Sequence, residues 1–117
     1  MDQKSRRKQL LNEYKQTHPE AGVYRFVNGQ NGKVLLGSSP NLPSVHSKLQ
    51  FARTTNSPGA LGYQLAADVK QYGIDAFSLE ILEVLDTRPE MTREEILSDL
   101  KTLEELWREK QDPSLAY

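Results

Sequence analysis

The chain has 117 residues, of which 37% are hydrophobic and 26% charged, which is typical of one globular domain and too apolar for a disordered protein. It has no cysteine and only two histidines. This composition excludes disulfides, cysteine nucleophiles and metal sites of thiolates or several histidines, and leaves carboxylates to bind a hard cation such as Mg²⁺ or Mn²⁺. The net charge of −1 lacks the strong basic excess of a dedicated duplex-binding protein, so tight non-specific DNA binding is not predicted.

The first predicted element is a helix over residues 1–19, which we expect to pack on the domain. Leu10, Leu11 and Tyr14 form a narrow apolar stripe, and Pro19 ends the helix because the residue before a proline disfavours helical geometry. No apolar run reaches membrane-spanning length, and the first residues lack the apolar core of a signal peptide. We therefore expect a cytoplasmic protein that does not enter a membrane.

A β-hairpin is predicted next. The segments GVYRFV and KVLLGS are rich in β-branched and aromatic residues, and they flank the turn NGQNG. Alternation places Tyr24 and Phe26 on one face of the first strand, and Val23 and Val27 on the other.

A helix follows the hairpin. Asn41 is predicted to cap it, and it is expected to run to about Arg53. Its spacing places Val45, Leu49 and Ala52 on one apolar face.

A second helix and a third strand are predicted over the middle of the chain. The helix is expected from about residue 60 to residue 72, with Gly73 ending it. The segment FSLEILEVL, which begins at Phe77, alternates and then becomes apolar, as strands do.

The last predicted helix begins with a capping box formed by Thr92 and Glu95. Its apolar stripe consists of Ile96, Leu97, Leu100, Leu103 and Trp107. The elements together predict an α+β fold, in which a three-stranded, mostly antiparallel sheet is flanked by helices.

Glu104 breaks the pattern of this helix. It lies between Leu97 and Leu100 around the helical wheel, whereas Glu105 points away from the stripe. A carboxylate that faces a core is costly unless it is paired or binds a cation. Glu104 is therefore either a residue at the edge of the stripe that reaches water, a member of an ion pair, or a metal ligand.

The hairpin and the segments after it resemble the GIY-YIG nuclease family. The first tripeptide of that family reads Gly22-Val23-Tyr24 here, and the second reads Leu35-Leu36-Gly37. The turn NGQNGK, the segment SSPNL, and the later segments LAADVKQYGIDAFSLEILE and LEELWREK match the family in the same order, from about residue 21 to residue 110. The chain is similar to small stand-alone bacterial members, which implies a GIY-YIG domain over residues 20–117.

The resemblance implies metal-dependent hydrolysis of phosphodiester bonds in DNA. It places Tyr24 at the tyrosine that helps to activate water and Glu104 at the single metal ligand, for Mg²⁺ or Mn²⁺. Such cleavage needs a Lewis acid, an activated nucleophile and a cation near the developing charge.

Other positions depart from the family, and one of these, a polar or histidine position, falls at Ala60 or Gly62. The family's second tyrosine falls at Leu35, its helical arginine at Val45 and a histidine at Leu49. Lys48 is the nearest replacement for the arginine, since its long stem can swing back, whereas His46 is expected to be a surface residue. The site is therefore expected to be degenerate, with weak or no cleavage.

Three functions remain open from the sequence. The chain is a weakened DNA endonuclease, or a non-catalytic nucleic-acid-binding module, or a protein-interaction domain with an unidentified partner, and it is expected to be a monomer or a weak dimer. The second function would use a basic face formed by Lys33, Lys48, Arg53 and Lys70.

Overall fold

The structure is a computed structural model, and it describes residues 19–117. The leading helix predicted over residues 1–19 lies almost wholly outside the described residues. In chain order the described elements are β1 (Gly22–Asn28), β2 (Val34–Ser39), α1 (Leu42–Thr55), α2 (Tyr63–Tyr72), β3 (Phe77–Val84) and α3 (Arg93–Lys110). Three short 3₁₀ turns lie at Pro58–Leu61, Ile74–Ala76 and Pro113–Leu115.

The three strands form one antiparallel sheet in the order β2-β1-β3. The α+β fold predicted from the sequence is confirmed. In the central strand, Tyr24 lies opposite Gly37 of β2 and Ile81 of β3. The register between β1 and β3 shifts between Val23 and Tyr24, which is where a bulge changes the twist of a strand.

The main core lies where α1 and α2 pack against one face of the sheet. Phe26 and Phe77 supply the sheet side of this core, and α1 contributes Val45, Leu49 and Ala52, as its spacing predicts. The alternate strand residues Val23, Val34 and Leu36 are buried as well, and α3, which contacts β2 and β1, buries Leu100.

The helix α1 has the predicted beginning but a different end. The Asn41 side chain accepts a hydrogen bond from the backbone N–H of Ser44 at 3.1 Å, which confirms the cap. The helix continues past Arg53 to Thr55, and Asn56 ends it in the left-handed conformation with φ 50°. Asparagine tolerates this conformation better than most residues, because its short side chain bonds locally.

The second helix was expected from about residue 60, and this beginning is wrong. Residues Pro58–Leu61 form a 3₁₀ turn, and Gly62 separates that turn from α2 with a φ of 105°. A residue with this φ cannot continue an α-helix, so α2 begins only at Tyr63.

The helix α3 confirms the predicted capping box but only part of the apolar stripe. The Thr92 side chain accepts a hydrogen bond from the backbone N–H of Glu95 at 3.1 Å. Leu100 is 2% exposed, whereas Leu97 is 41% exposed and lies at the edge of the interface. Of the helices between residues 19 and 117, none combines the length and the apolar content that crossing a membrane requires.

Residues 113–117, which we name the C-terminal strap, cover the outer edge of β2. Ala116 pairs in parallel with Val34, and the backbone N–H of Tyr117 donates to the Val34 carbonyl at 3.0 Å. The Tyr117 hydroxyl donates to Asp68 Oδ2 at 2.6 Å and accepts from Asn28 Nδ2 at 3.1 Å. Asn28 is fully buried, so the strap satisfies a donor that water cannot reach.

Candidate functional site

Tyr24 is held in place by its neighbours on β1 and β2. Its ring meets the Phe26 ring edge to face, with centroids 5.5 Å apart. It also lies directly over Gly37, where an added Cβ would come within 2.8 Å of Tyr24 Cζ and Oη. Gly37 is therefore a steric requirement for this position of the Tyr24 ring.

Glu104 lies on α3 with 25% of its side chain exposed. Its Oε2 accepts a hydrogen bond from Arg108 Nη2 at 2.9 Å, one turn along the helix. The helical wheel left water, an ion pair and a metal as alternatives for this carboxylate, and the structure has the ion pair.

The structure brings Tyr24 and Glu104 near one another. Burial of the phenol, and secondly the negative charge of Glu104, raise the pKa of Tyr24 above its usual value of 10.0. Tyr24 therefore keeps its proton at neutral pH, where it can donate a hydrogen bond to an anion or hold a water molecule.

The candidate site offers a divalent cation the carboxylate of Glu104. Among residues 19–117, no three side chains of the types His, Asp and Glu are grouped as metal ligands. Mg²⁺ accepts one or two protein carboxylates and fills its remaining positions with water and phosphate oxygens. A cation at Glu104 would compete with Arg108, because Arg108 Nη2 already donates to Glu104 Oε2.

Three of the positions that differ from the expected nuclease pattern are part of the core. Val45 is 6% exposed and Leu49 is 5% exposed, and both belong to the cluster around Phe26. Leu35 packs against the same cluster. These side chains stabilise the domain and have no group that could contact a phosphate.

The four basic residues of the predicted face lie on three segments, since Lys48 and Arg53 are both on α1. Lys33 lies at the hairpin turn, with its Nζ 5.7 Å from the centre of the Tyr117 ring. Arg53 donates from Nη2 to the Phe77 carbonyl at 3.0 Å, so its guanidinium is directed towards the start of β3. Lys48 is exposed on α1, and Lys70 is exposed in the last turn of α2.

Sequence reasoning missed Arg108. Its spacing of four residues after Glu104 was available, since acidic and basic residues at i and i+4 are neighbours on a helix. A second polar contact also joins α3 to β3, in which Trp107 Nε1 donates to Glu83 Oε1 at 3.0 Å. Lys110 lies over the same indole, with its Nζ 4.9 Å from the ring centre.

A pocket of about 400 Å³ lies at the end of the sheet where β1 begins. Neither Tyr24 nor Glu104 lines it. Its apolar wall includes Pro19, Pro40, Pro89, Met91 and Ile96. The pocket is therefore separate from the candidate site.

Comparisons with known proteins find a likeness in fold. No family model and no curated protein matches the chain. A solved structure, a mutant of the catalytic domain of intron endonuclease I-TevI, is similar, with a TM-score of 0.45 and 20% identity. The match covers 72% of this chain and 84% of that one.

Proposed function

We propose that this domain binds DNA at the surface around Tyr24 and Glu104, and that it hydrolyses phosphodiester bonds weakly or not at all. The observation that carries the proposal is the state of Glu104, which lies near the Tyr24 phenol but is ion-paired with Arg108 at 2.9 Å. The site thus keeps the two groups expected of a nuclease, and one of them already has a partner.

A metal at this site would compete with Arg108. Glu104 would hold Mg²⁺ or Mn²⁺, which would polarise a phosphate oxygen as a Lewis acid. The free energy needed to break the Arg108–Glu104 ion pair would weaken the binding of the metal. A partly exposed ion pair of this kind contributes only about 0–1 kcal/mol to stability, so this effect is small. We therefore expect weak metal affinity rather than none.

The loss of charged groups lowers the expected rate much further. Removing one preorganised charge stabiliser typically lowers a rate by about 10²–10³. Two such positions, Val45 and Leu49, are buried apolar residues here. The effects of losing several groups of one site on the rate are not additive, but we still expect cleavage to be little faster than the uncatalysed reaction. Lys48 remains the nearest exposed cation on α1, and its contribution is part of the proposal.

The test is cleavage of supercoiled and branched DNA with Mg²⁺ or Mn²⁺. We expect slow cleavage or none by the wild type, and none by Glu104→Ala. Glu105→Ala is the matched control, because Glu105 is the adjacent carboxylate and is exposed. Cleavage at the rate of an intact nuclease would refute the proposed weakness, and cleavage that survives Glu104→Ala would show that the site is not used.

Binding is measured separately on the same DNA by electrophoretic mobility shift at several salt concentrations. Phosphate contacts release counterions, so affinity should fall as salt rises. Affinity that does not depend on salt, or an absence of binding at low salt, would contradict the proposed contact with DNA and would favour a protein-interaction domain.

A further inference from the structure

Two aromatic side chains on the α1–α2 side of the domain are unusually exposed. Phe51 is 58% exposed and Tyr63 is 85% exposed. Phe51 lies in the second half of α1, and Tyr63 is the first residue of α2, so they flank the connection 56–62. Neither side chain contributes much to the stability of the fold, because an apolar group contributes through its burial.

The segment of sequence that contains these two residues has no acidic residue. Residues 21–67 contain no Asp or Glu, although they contain the basic residues Arg25, Lys33, Lys48 and Arg53. Residues 83–117 carry ten of the sixteen acidic residues. The two exposed aromatic rings therefore lie in the part of the chain that favours an anionic partner.

Lys48 and Phe51 share one side of α1. They are three residues apart, which places them on neighbouring positions of the helix surface. Both are exposed, and both lie away from the face that buries Val45 and Leu49. An aromatic ring thus lies one turn from an exposed cation, and Ser44 and Thr55 are on the same side of the helix.

We propose that Lys48, Phe51 and Tyr63 form a surface that binds single-stranded nucleic acid, which goes beyond the site at Tyr24 and Glu104. Unpaired bases stack on aromatic rings in a manner that tolerates any sequence, while basic side chains contact the phosphates. A duplex offers no free base faces, since its bases are stacked on one another. The pattern of exposed rings, cations and no carboxylates therefore favours a single strand over a duplex.

The test is fluorescence anisotropy with a labelled oligothymidylate and with a duplex of equal length, both in EDTA. We expect the wild type to bind the single strand more tightly. Phe51→Ala and Tyr63→Ala should each weaken binding about 5-fold or more, which corresponds to the loss of one stacked base. Phe51→Leu should weaken it as well, because leucine keeps an apolar side chain but has no π face.

Two matched controls lie on the acidic helix α3. The first is Leu106, which is 50% exposed, and Leu106→Ala should leave the affinity unchanged. The second is Lys101, an exposed lysine, and it is the control for Lys48. Lys48→Gln should weaken binding and reduce its salt dependence, whereas Lys101→Gln should change neither. The thermal midpoint of each variant is measured to show that it is folded.

Three results would overturn the proposal. They are equal affinity for the duplex and the single strand, wild-type affinity in Phe51→Leu, and a Lys101→Gln effect as large as that of Lys48→Gln. EDTA removes the metal on which cleavage depends, and Glu104→Ala should bind the single strand normally. Failure of this surface is therefore distinguishable from failure of the nuclease site.

Discussion

The substitution Tyr117→Phe tests the C-terminal strap with very little change of shape. It removes one hydroxyl group, which donates to Asp68 at 2.6 Å and accepts from Asn28 Nδ2 at 3.1 Å, and it keeps the ring. Asn28 is 0% exposed, so its side-chain N–H group would lose the Tyr117 oxygen as an acceptor at a place that water cannot reach. A buried donor without a partner costs about 1–3 kcal/mol.

We expect Tyr117→Phe to lower the free energy of unfolding by about 1–3 kcal/mol. Small proteins have urea m-values of about 1–3 kcal/mol per molar, so the urea midpoint should fall by roughly 1 M, as followed by circular dichroism. Tyr63→Phe is the control, because the Tyr63 side chain is almost fully exposed. If both variants unfold at the wild-type midpoint, the strap does not stabilise the fold through this hydroxyl.

The pH dependence gives a second check on the same substitution. The hydrogen bond from Tyr117 is the main cause that holds the pKa of Asp68 below its usual value of 3.8. A lowered pKa contributes stability that is present above 3.8 and is lost as the pH falls below it. The difference between the wild type and Tyr117→Phe should therefore be largest at neutral pH and should shrink under acid. A difference that grows under acid would refute this assignment.

Three further predictions concern the candidate site. Gly37→Ala should destabilise the domain by about 1–3 kcal/mol, measured by urea unfolding, because its Cβ would lie 2.8 Å from Tyr24 Cζ; wild-type stability would show that the ring moves freely. Glu104→Gln should lower the pKa of Tyr24, measured by ultraviolet absorbance against Tyr24→Phe, and should slow the loss of stability as the pH rises above 10.0. An unchanged titration would show that Glu104 does not affect the pKa of Tyr24. Arg108→Gln should increase Mn²⁺ affinity, measured by electron paramagnetic resonance, since it frees Glu104; a decrease would show that the guanidinium does not compete with the metal.

Local patterns predicted much of the fold. The hairpin, the Asn41 cap and the Thr92 capping box are local features, set by residues within a few positions of one another. The apolar face of α1 was also predicted, because helical periodicity alone places Val45 and Leu49 together.

The errors come from interactions that periodicity does not record. The second helix was predicted from about residue 60, yet Gly62 takes a φ of 105° and separates the turn 58–61 from α2. Leu97 fits the apolar stripe of α3, but it is 41% exposed, whereas Leu100 is 2% exposed. The start of α2 and the exposure of Leu97 both depend on how the helices are connected and packed, which the periodicity of a single helix does not show.

The sequence predicted residues of the candidate site, but not the contacts that their side chains make. The helical wheel singled out Glu104, because a carboxylate on an apolar face needs a partner. Which partner it takes is decided by side-chain conformation, and Arg108 reaches it at 2.9 Å. The contact between Gly37 and the Tyr24 ring crosses two strands, so it depends on the strand register, which the sequence alone did not specify.

The C-terminal strap also has a consequence for the order in which the chain folds. The bond between Asn28 and Tyr117 joins residues 89 positions apart, and contacts of such long range form late because loop closure opposes them. Until the strap docks, the outer edge of β2 has backbone groups available to another chain. A nascent chain that has already built the hairpin is therefore most prone to aggregation before residues 113–117 dock, and in that interval a chaperone would protect it best.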